Sequence, residues 1–319
     1  MSSPDITITR EMTVAKAVSG KRVDAVGVGF QVALLLCLLV CLAFIVVLLG
    51  TVVSDGAGVI SDRGTGFLTS NLSRFPERAG VAQALFGSIA LALVVVVVAF
   101  PLGIATAVYL EEYARENRFT NVVRLNIRNL SGVPSVVYGL LGLAVFVELL
   151  GTDFGPNGGL TGGRTLIAGG LTLAVLVLPI VIITSSEALR AVPQQLREGG
   201  YGVGATKWEV TKKLVLPNAF AGILTGTVLS LSRAIGETAP LILVGAFFGT
   251  FYTTGDAGFF DKFTTTYTAL PQVVYQWATD AKTEFNTELA AAAILVLMVV
   301  TLLANLAAVL LRNRYEKRW

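Results

Sequence analysis

Long apolar runs separated by polar connections set the pattern of this chain. Six of them are long enough to cross a hydrocarbon layer of roughly 30 Å as helices. They are Val28–Val53, Val81–Leu110, Leu130–Leu150, Leu166–Thr184, Phe220–Phe248 and Leu289–Leu311. Lys21 and Arg22 precede the first run, as charges precede a signal peptide. Its apolar core is longer than the roughly 7–15 residues of such a signal, so it is read as a retained span. The pattern predicts an all-α integral membrane protein with six transmembrane helices, multi-pass in the cell membrane. Its parts are a tail at 1–27, a first span at 28–53 with a loop at 54–80, a core at 81–311 and a tail at 312–319.

Proline placement sorts the spans. The second to fifth contain Pro101, Pro134, Pro179 and Pro240, while the first and sixth contain none. A proline inside a helix removes a backbone hydrogen bond and bends it, and membrane helices tolerate this where neighbours re-satisfy the freed carbonyl. Four bent helices beside two straight ones predict a working core with peripheral anchors.

Charge then orients the chain. Arg10, Lys16, Lys21 and Arg22 lie before the first span, and Arg115, Arg118, Arg124 and Arg128 between the second and third. Arg190, Arg197, Lys207, Lys212 and Lys213 lie between the fourth and fifth, and Arg312, Arg314, Lys317 and Arg318 after the sixth. The opposite loops hold only Arg63, Arg74, Arg78, Arg164, Lys262 and Lys282. Basic residues are retained in the cytoplasm, so both termini are expected there. The outer loops Ser54–Gly80 and Thr250–Glu288 are polar, contain aromatic residues and are long enough to offer a docking surface.

Composition agrees with the spans. Of 319 residues, 54% are hydrophobic and 14% charged, against roughly a quarter charged in soluble domains. A net charge of +3 gives no argument for nucleic acid. The absence of histidine removes the commonest general base and metal ligand. Cys37 and Cys41 share a helix face within the first apolar run and are read as packing residues. No G-x-x-x-x-G-K-[ST] phosphate loop occurs, so the chain by itself is not expected to hydrolyse ATP.

The connection between the fourth and fifth spans, residues 187–217, carries the most information. It reads as an amphipathic helix ending near Gly202–Gly204, a turn, and a second helix from Thr206 that stops before Pro217. Thr206 with Glu209 has the capping-box spacing. Such a helix–turn–helix is shaped to fit a groove on another protein. The spacing Glu198, Gly204, Leu214, Leu216, Pro217 resembles the EAA motif of ABC importer permeases, with Gly199-Gly200 in place of two alanines and Ala205 and Thr206 expected beside Gly204 in the coupling turn. The resemblance implies a coupling helix that docks on a cytoplasmic ATPase.

The fifth span holds two charges, Arg233 and Glu237, within Ser232-Arg233-Ala234-Ile235-Gly236-Glu237-Thr238-Ala239-Pro240. A charge within the bilayer is costly and persists only in a protein interior or watery cavity. At i and i+4 the pair is expected on one helix face, where the two neutralise each other, and Gly236 permits close approach. The guanidinium fork suits an oxyanion; a purely structural ion pair is the competing interpretation. This string, together with Pro134-Ser135-Val136-Val137-Tyr138-Gly139, resembles the phosphate-specific ABC permeases, and Glu237–Leu241 and Glu187–Pro193 resemble their PstA-type branch.

The resemblance covers the second to sixth spans and implies a type I importer. It implies a PstC-like permease partner, two copies of a PstB-like ATPase and a PstS-like phosphate-binding protein outside, all gathered at the lipid bilayer. ATP and Mg belong to the ATPase, and no cofactor is expected on this chain. Phosphate would meet Arg233, aided by Glu237, Ser232, Thr238, Ser135 and Ser131. Two alternatives stand beside this reading. One is a permease for molybdate or sulfate. The other is an ion-gradient transporter using Glu237, which would call for internal repeats with paired broken helices.

Overall fold

The computed structural model describes residues 25–152, 161–246, 263 and 265–315. The tail before Ala25, the ends of both outer-loop and fifth-span predictions at 247–262, and the last four residues lie outside the described residues. The chain divides into two units, Met1–Thr51 and Val52–Trp319.

All described regular structure is helical. Helix α1 covers Ala25–Arg63. Before Thr51 its large apolar side chains, Leu34, Leu38, Phe44 and Val47 among them, are exposed. An apolar helix with no polar face is suited to lipid. The helix runs on to Arg63 instead of ending at Val53, so the predicted outer loop is shorter than expected. Within the second unit, Gly56 lies against the backbone of Ala291 and Ala292, where an added Cβ would stand 2.8 Å away. Small residues let helices approach in this way, and that packing stabilises helix beyond the apolar run.

Helix α2 (Ala82–Val108) runs into a π turn at Tyr109–Tyr113. Helix α3 (Arg118–Ser131) is amphipathic, and Asn117 caps it by accepting from the Thr120 amide at 2.8 Å. Helix α4 (Ser135–Gly142) continues through a π turn at Leu143–Leu149. The axes of α3 and α4 differ by 103°. Pro134 therefore interrupts the chain instead of bending a helix. It lacks an amide proton and excludes the residue before it from helical backbone, and its own ψ is 138°. Tyr138 closes the corner by donating from its hydroxyl to the Leu130 carbonyl at 2.7 Å.

Helix α5 (Leu166–Arg190) contains Pro179 without interruption, as α2 contains Pro101. These two helices supply much of the core with Leu91, Val95, Leu173 and Val177. The loop carries α6 (Gln194–Gly202) and α7 (Lys207–Val210). Helix α7 does not stop before Pro217: a π turn at Thr211–Val215 joins it to α8 (Leu216–Gly236), with Pro217 in the first turn, where a missing amide proton is harmless. A break at Glu237–Thr238 precedes α9 (Ala239–Val244), which again places a proline, Pro240, at a helix start. Helices α10 (Leu270–Ala278) and α11 (Ala290–Tyr315) complete the chain. Among the described residues, five helices are long and apolar enough to span a membrane, and six if the bent pair α3–α4 counts as one.

The described parts of the predicted outer loops pack into a core of their own. Trp277 is fully buried between Phe67 and Phe285, at ring-centroid distances of 6.3 and 5.7 Å. Leu72, Ala79, Val81 and Leu270 join them in one apolar cluster. Burial of this size removes enough apolar area from water to order short segments that would otherwise stay in solvent.

Candidate functional site

Helix α8 positions Arg233 in its last turn, and Glu237 follows as the first non-helical residue, with φ −77° and ψ 124°. Arg233 Nε donates to Glu237 Oε1 at 3.2 Å. The expected pair exists, but across a helix end instead of along one face. The Arg233 side chain is 50% exposed and that of Glu237 17%. Gly236 is open, with nothing within 4 Å of an added Cβ. Helix α9 packs on α4 through Gly139, where an added Cβ would be 2.7 Å from Pro240 Cα. Tyr138, Ala234 and Leu241 share one buried cluster, with Val133 and Leu231 packed against it. The two strings singled out in the sequence thus meet at two interruptions, Pro134 and Glu237–Thr238.

The hydroxyls divide. Ser232 donates to the Val228 carbonyl at 3.0 Å and to Asn305 Oδ1 on α11. Ser131 donates to the Arg128 carbonyl at 2.7 Å. Ser135 and Thr238 are half-buried beside their respective breaks. None of these four is hydrogen-bonded to Arg233 among the described residues. Asn305 was not anticipated; its signal is a lone amide inside an otherwise apolar span.

The loop is a second centre. Thr206 and Glu209 form the expected reciprocal cap, with Thr206 Oγ1 accepting from the Glu209 amide at 3.3 Å and Glu209 Oε2 accepting from the Thr206 amide at 3.0 Å. The hydrogen bond from the Thr206 amide, then that from its hydroxyl and the nearby Lys213, hold the Glu209 carboxyl below its ordinary range. Gly204 has φ +84°, a left-handed conformation that disfavours other residues. Gly200 faces Val210 and Leu214 side chains, 2.8 and 2.9 Å from an added Cβ, while Gly199 faces open space. Ala205 is half-buried, Glu198 exposed and Leu216 half-buried against the cluster of Val210, Val215 and Ile223.

Three consecutive residues at the end of α2 contact this loop. Glu111 accepts two hydrogen bonds from Arg190, from Nε at 2.8 Å and Nη2 at 2.9 Å, with Arg124 at 3.9 Å. Glu112 accepts from Arg197 Nη2 at 2.8 Å and Nε at 3.2 Å. Tyr113 lies under Lys207, whose Nζ is 5.2 Å from the ring centre. The sequence reading missed all three, although an acidic pair within a basic region is the signal that could have found them.

Residues 99–317 match the family described as "Binding-protein-dependent transport system inner membrane component". The chain belongs to that family. This permease is 36% identical over 240 residues to the "Phosphate transport system permease protein PstA" of Xylella fastidiosa (strain 9a5c), covering 75% of this chain and 77% of the relative. It is 32% identical over 207 residues to the "Probable ABC transporter permease protein YqgI" of Bacillus subtilis (strain 168). That alignment takes in 65% of this chain and 66% of the relative, just under two thirds of its length. The permease also shares its fold with a chain of a bacterial alginate ABC transporter solved with its pentasaccharide-bound periplasmic protein, with a TM-score of 0.59 at 14% identity, covering 89% and 93% of the two chains.

Proposed function

We propose that this permease is a transmembrane subunit of an ATP-driven importer that moves inorganic phosphate into the cell by alternating access. The observation that carries the reading is Arg233, half-exposed at the end of α8 and held by Glu237 beside an interruption of the fifth span. A guanidinium so placed has oxyanion geometry, and its bond to Glu237 gives it a counterion when no anion is present. Relatives named as phosphate transport permeases at 36% identity support the same substrate.

Arg233 forms the anion contact, with Glu237, Ser232, Thr238, Ser135 and Ser131 along the path. A tight site would retain the ion, so moderate affinity suits passage. The loop from Glu198 to Pro217, turning at Gly204, Ala205 and Thr206 and running through Leu216, engages the ATPase. Pro101 and Pro179 bend their helices, and the breaks at Pro134 and at Glu237–Thr238, just before Pro240, are hinges for switching access. Both termini and this loop are cytoplasmic. The assembly contains a PstC-like permease, two PstB-like ATPase subunits that bind ATP and Mg, and a PstS-like binding protein on the outer face.

The test is ATP-dependent uptake of labelled phosphate by proteoliposomes holding the complete complex, with wild type, Arg233→Lys and Arg233→Gln at matched levels. Arg233→Gln is expected to lower uptake by about ten- to a hundredfold, the worth of one charged hydrogen bond. Normal uptake by Arg233→Gln removes the anion contact. Failure of phosphate to enter while molybdate or sulfate does so replaces the substrate.

A further inference from the structure

Glu111, Glu112 and Tyr113 each hold a different part of the loop region. Glu111 takes Arg190 at the end of α5, Glu112 takes Arg197 in α6, and Tyr113 takes Lys207 in α7. Consecutive residues of an α-helix point about 100° apart and share few partners. The π turn at Tyr109–Tyr113 widens that helix end locally, so one short segment meets three loop segments.

The Glu112–Arg197 contact is the most enclosed. The two side chains are only 5% and 13% exposed. Arg197 also donates from Nη1 to the Val192 carbonyl at 2.8 Å and from Nη2 to the Leu189 carbonyl at 2.9 Å. It thereby gives the Val192 carbonyl a donor where the chain turns at Pro193, and the Leu189 carbonyl a second one beside the Val192 amide at 3.3 Å. Removing either partner strands a buried charge, which stiffens the joint against partial opening. Around it, Leu110, Leu189, Val192 and Val210 form one buried apolar cluster. Glu112, Arg197 and the ends of α2 and α5 are therefore packed as one unit.

We infer that Glu111-Glu112-Tyr113 is a transmission latch, with Glu112 its central positioning residue, that imposes any displacement of the loop on the end of α2. The inference rests on the importer reading. Side chains of the latch touch neither the ATPase nor the transported ion in this role. Instead they convert loop movement into movement of the span that carries Pro101.

The experiment uses the complete complex in proteoliposomes and reads ATP hydrolysed per phosphate transported, for wild type, Glu112→Gln, Arg197→Lys and the double variant. Hydrogen exchange of residues 104–113 is followed with and without ATP. Glu112→Gln is expected to go on hydrolysing ATP while phosphate moved per ATP falls at least about fivefold, the lower end of coupling between sites. The double variant should lose no more than the worse single variant, as members of one unit do. ATP should change exchange at 104–113 in wild type and not in Glu112→Gln. An unchanged transport-to-ATP ratio overturns the latch, as does parallel loss of both activities with the amount of assembled complex. If wild type carries no phosphate, the substrate reading fails by itself, and the exchange comparison alone decides the latch.

Discussion

Gly87 on α2 stands so close to Thr268 that an added Cβ would lie 1.8 Å from the Thr268 carbonyl oxygen. The next residue, Ser88, accepts a hydrogen bond at Oγ from the Leu270 amide at 2.8 Å. Together they clip the segment before α10 to the second span. Backbone cannot retreat as a flexible side chain can, so Gly87→Ala is expected to destabilise by at least the 1–3 kcal/mol typical of overpacking. Thermal unfolding of the purified complex would show a lowered midpoint. An unchanged midpoint would mean that this contact is looser than the geometry states.

Ser88→Ala leaves the buried Leu270 amide without its acceptor. The expected cost is roughly 1–3 kcal/mol. Faster hydrogen exchange at the start of α10 is the local reading of that loss, and protection equal to wild type would contradict it.

Gly199 and Gly200 are neighbours with opposite prospects. Gly199→Ala meets open space within a helix and should stabilise by up to about 1 kcal/mol through helix propensity. Gly200→Ala must displace Val210 and Leu214 side chains. The comparison to make is the melting midpoint of both single variants; a Gly200→Ala protein more stable than Gly199→Ala would refute the packing argument.

Thr206→Ala removes the cap of α7 and is expected to cost on the order of 1 kcal/mol. Gly204→Ala forces alanine into a left-handed conformation, roughly 1–2 kcal/mol. The Glu209 carboxyl, held low by Thr206, contributes above the ordinary carboxylate range, and its contribution disappears as pH falls through the lowered value. Titration of Glu209 by NMR in Thr206→Ala should give a higher pKa than in wild type, and an identical value would dissociate the carboxyl from the cap.

Asn305 ties α11 to Ser232. Hydrogen bonds between membrane helices are worth about 0.6 kcal/mol on average, so Asn305→Leu should change stability little and leave the chain assembled. A collapse of the complex on this substitution would show that the bond carries far more than its type suggests.

That most of the apolar runs form long helices was legible in the sequence, because apolar length is a local property. The cap at Thr206–Glu209 and the turn at Gly204 were legible for the same reason: partners three residues apart are set by local backbone chemistry. The Arg233–Glu237 pair was foreseen as a contact, yet its setting was not. Whether Glu237 continues the helix or ends it depends on how α9 packs against Gly139. Likewise Pro134 can bend a helix or break it, and the packing of α4 with Tyr138 turned to Leu130 chose the break. The partners of Glu111 and Glu112 lie 79 and 85 residues further along the chain. No local pattern connects them. Only the tertiary fold brings those charges together, because an ion pair is specified by distance in space and a sequence records distance along the chain.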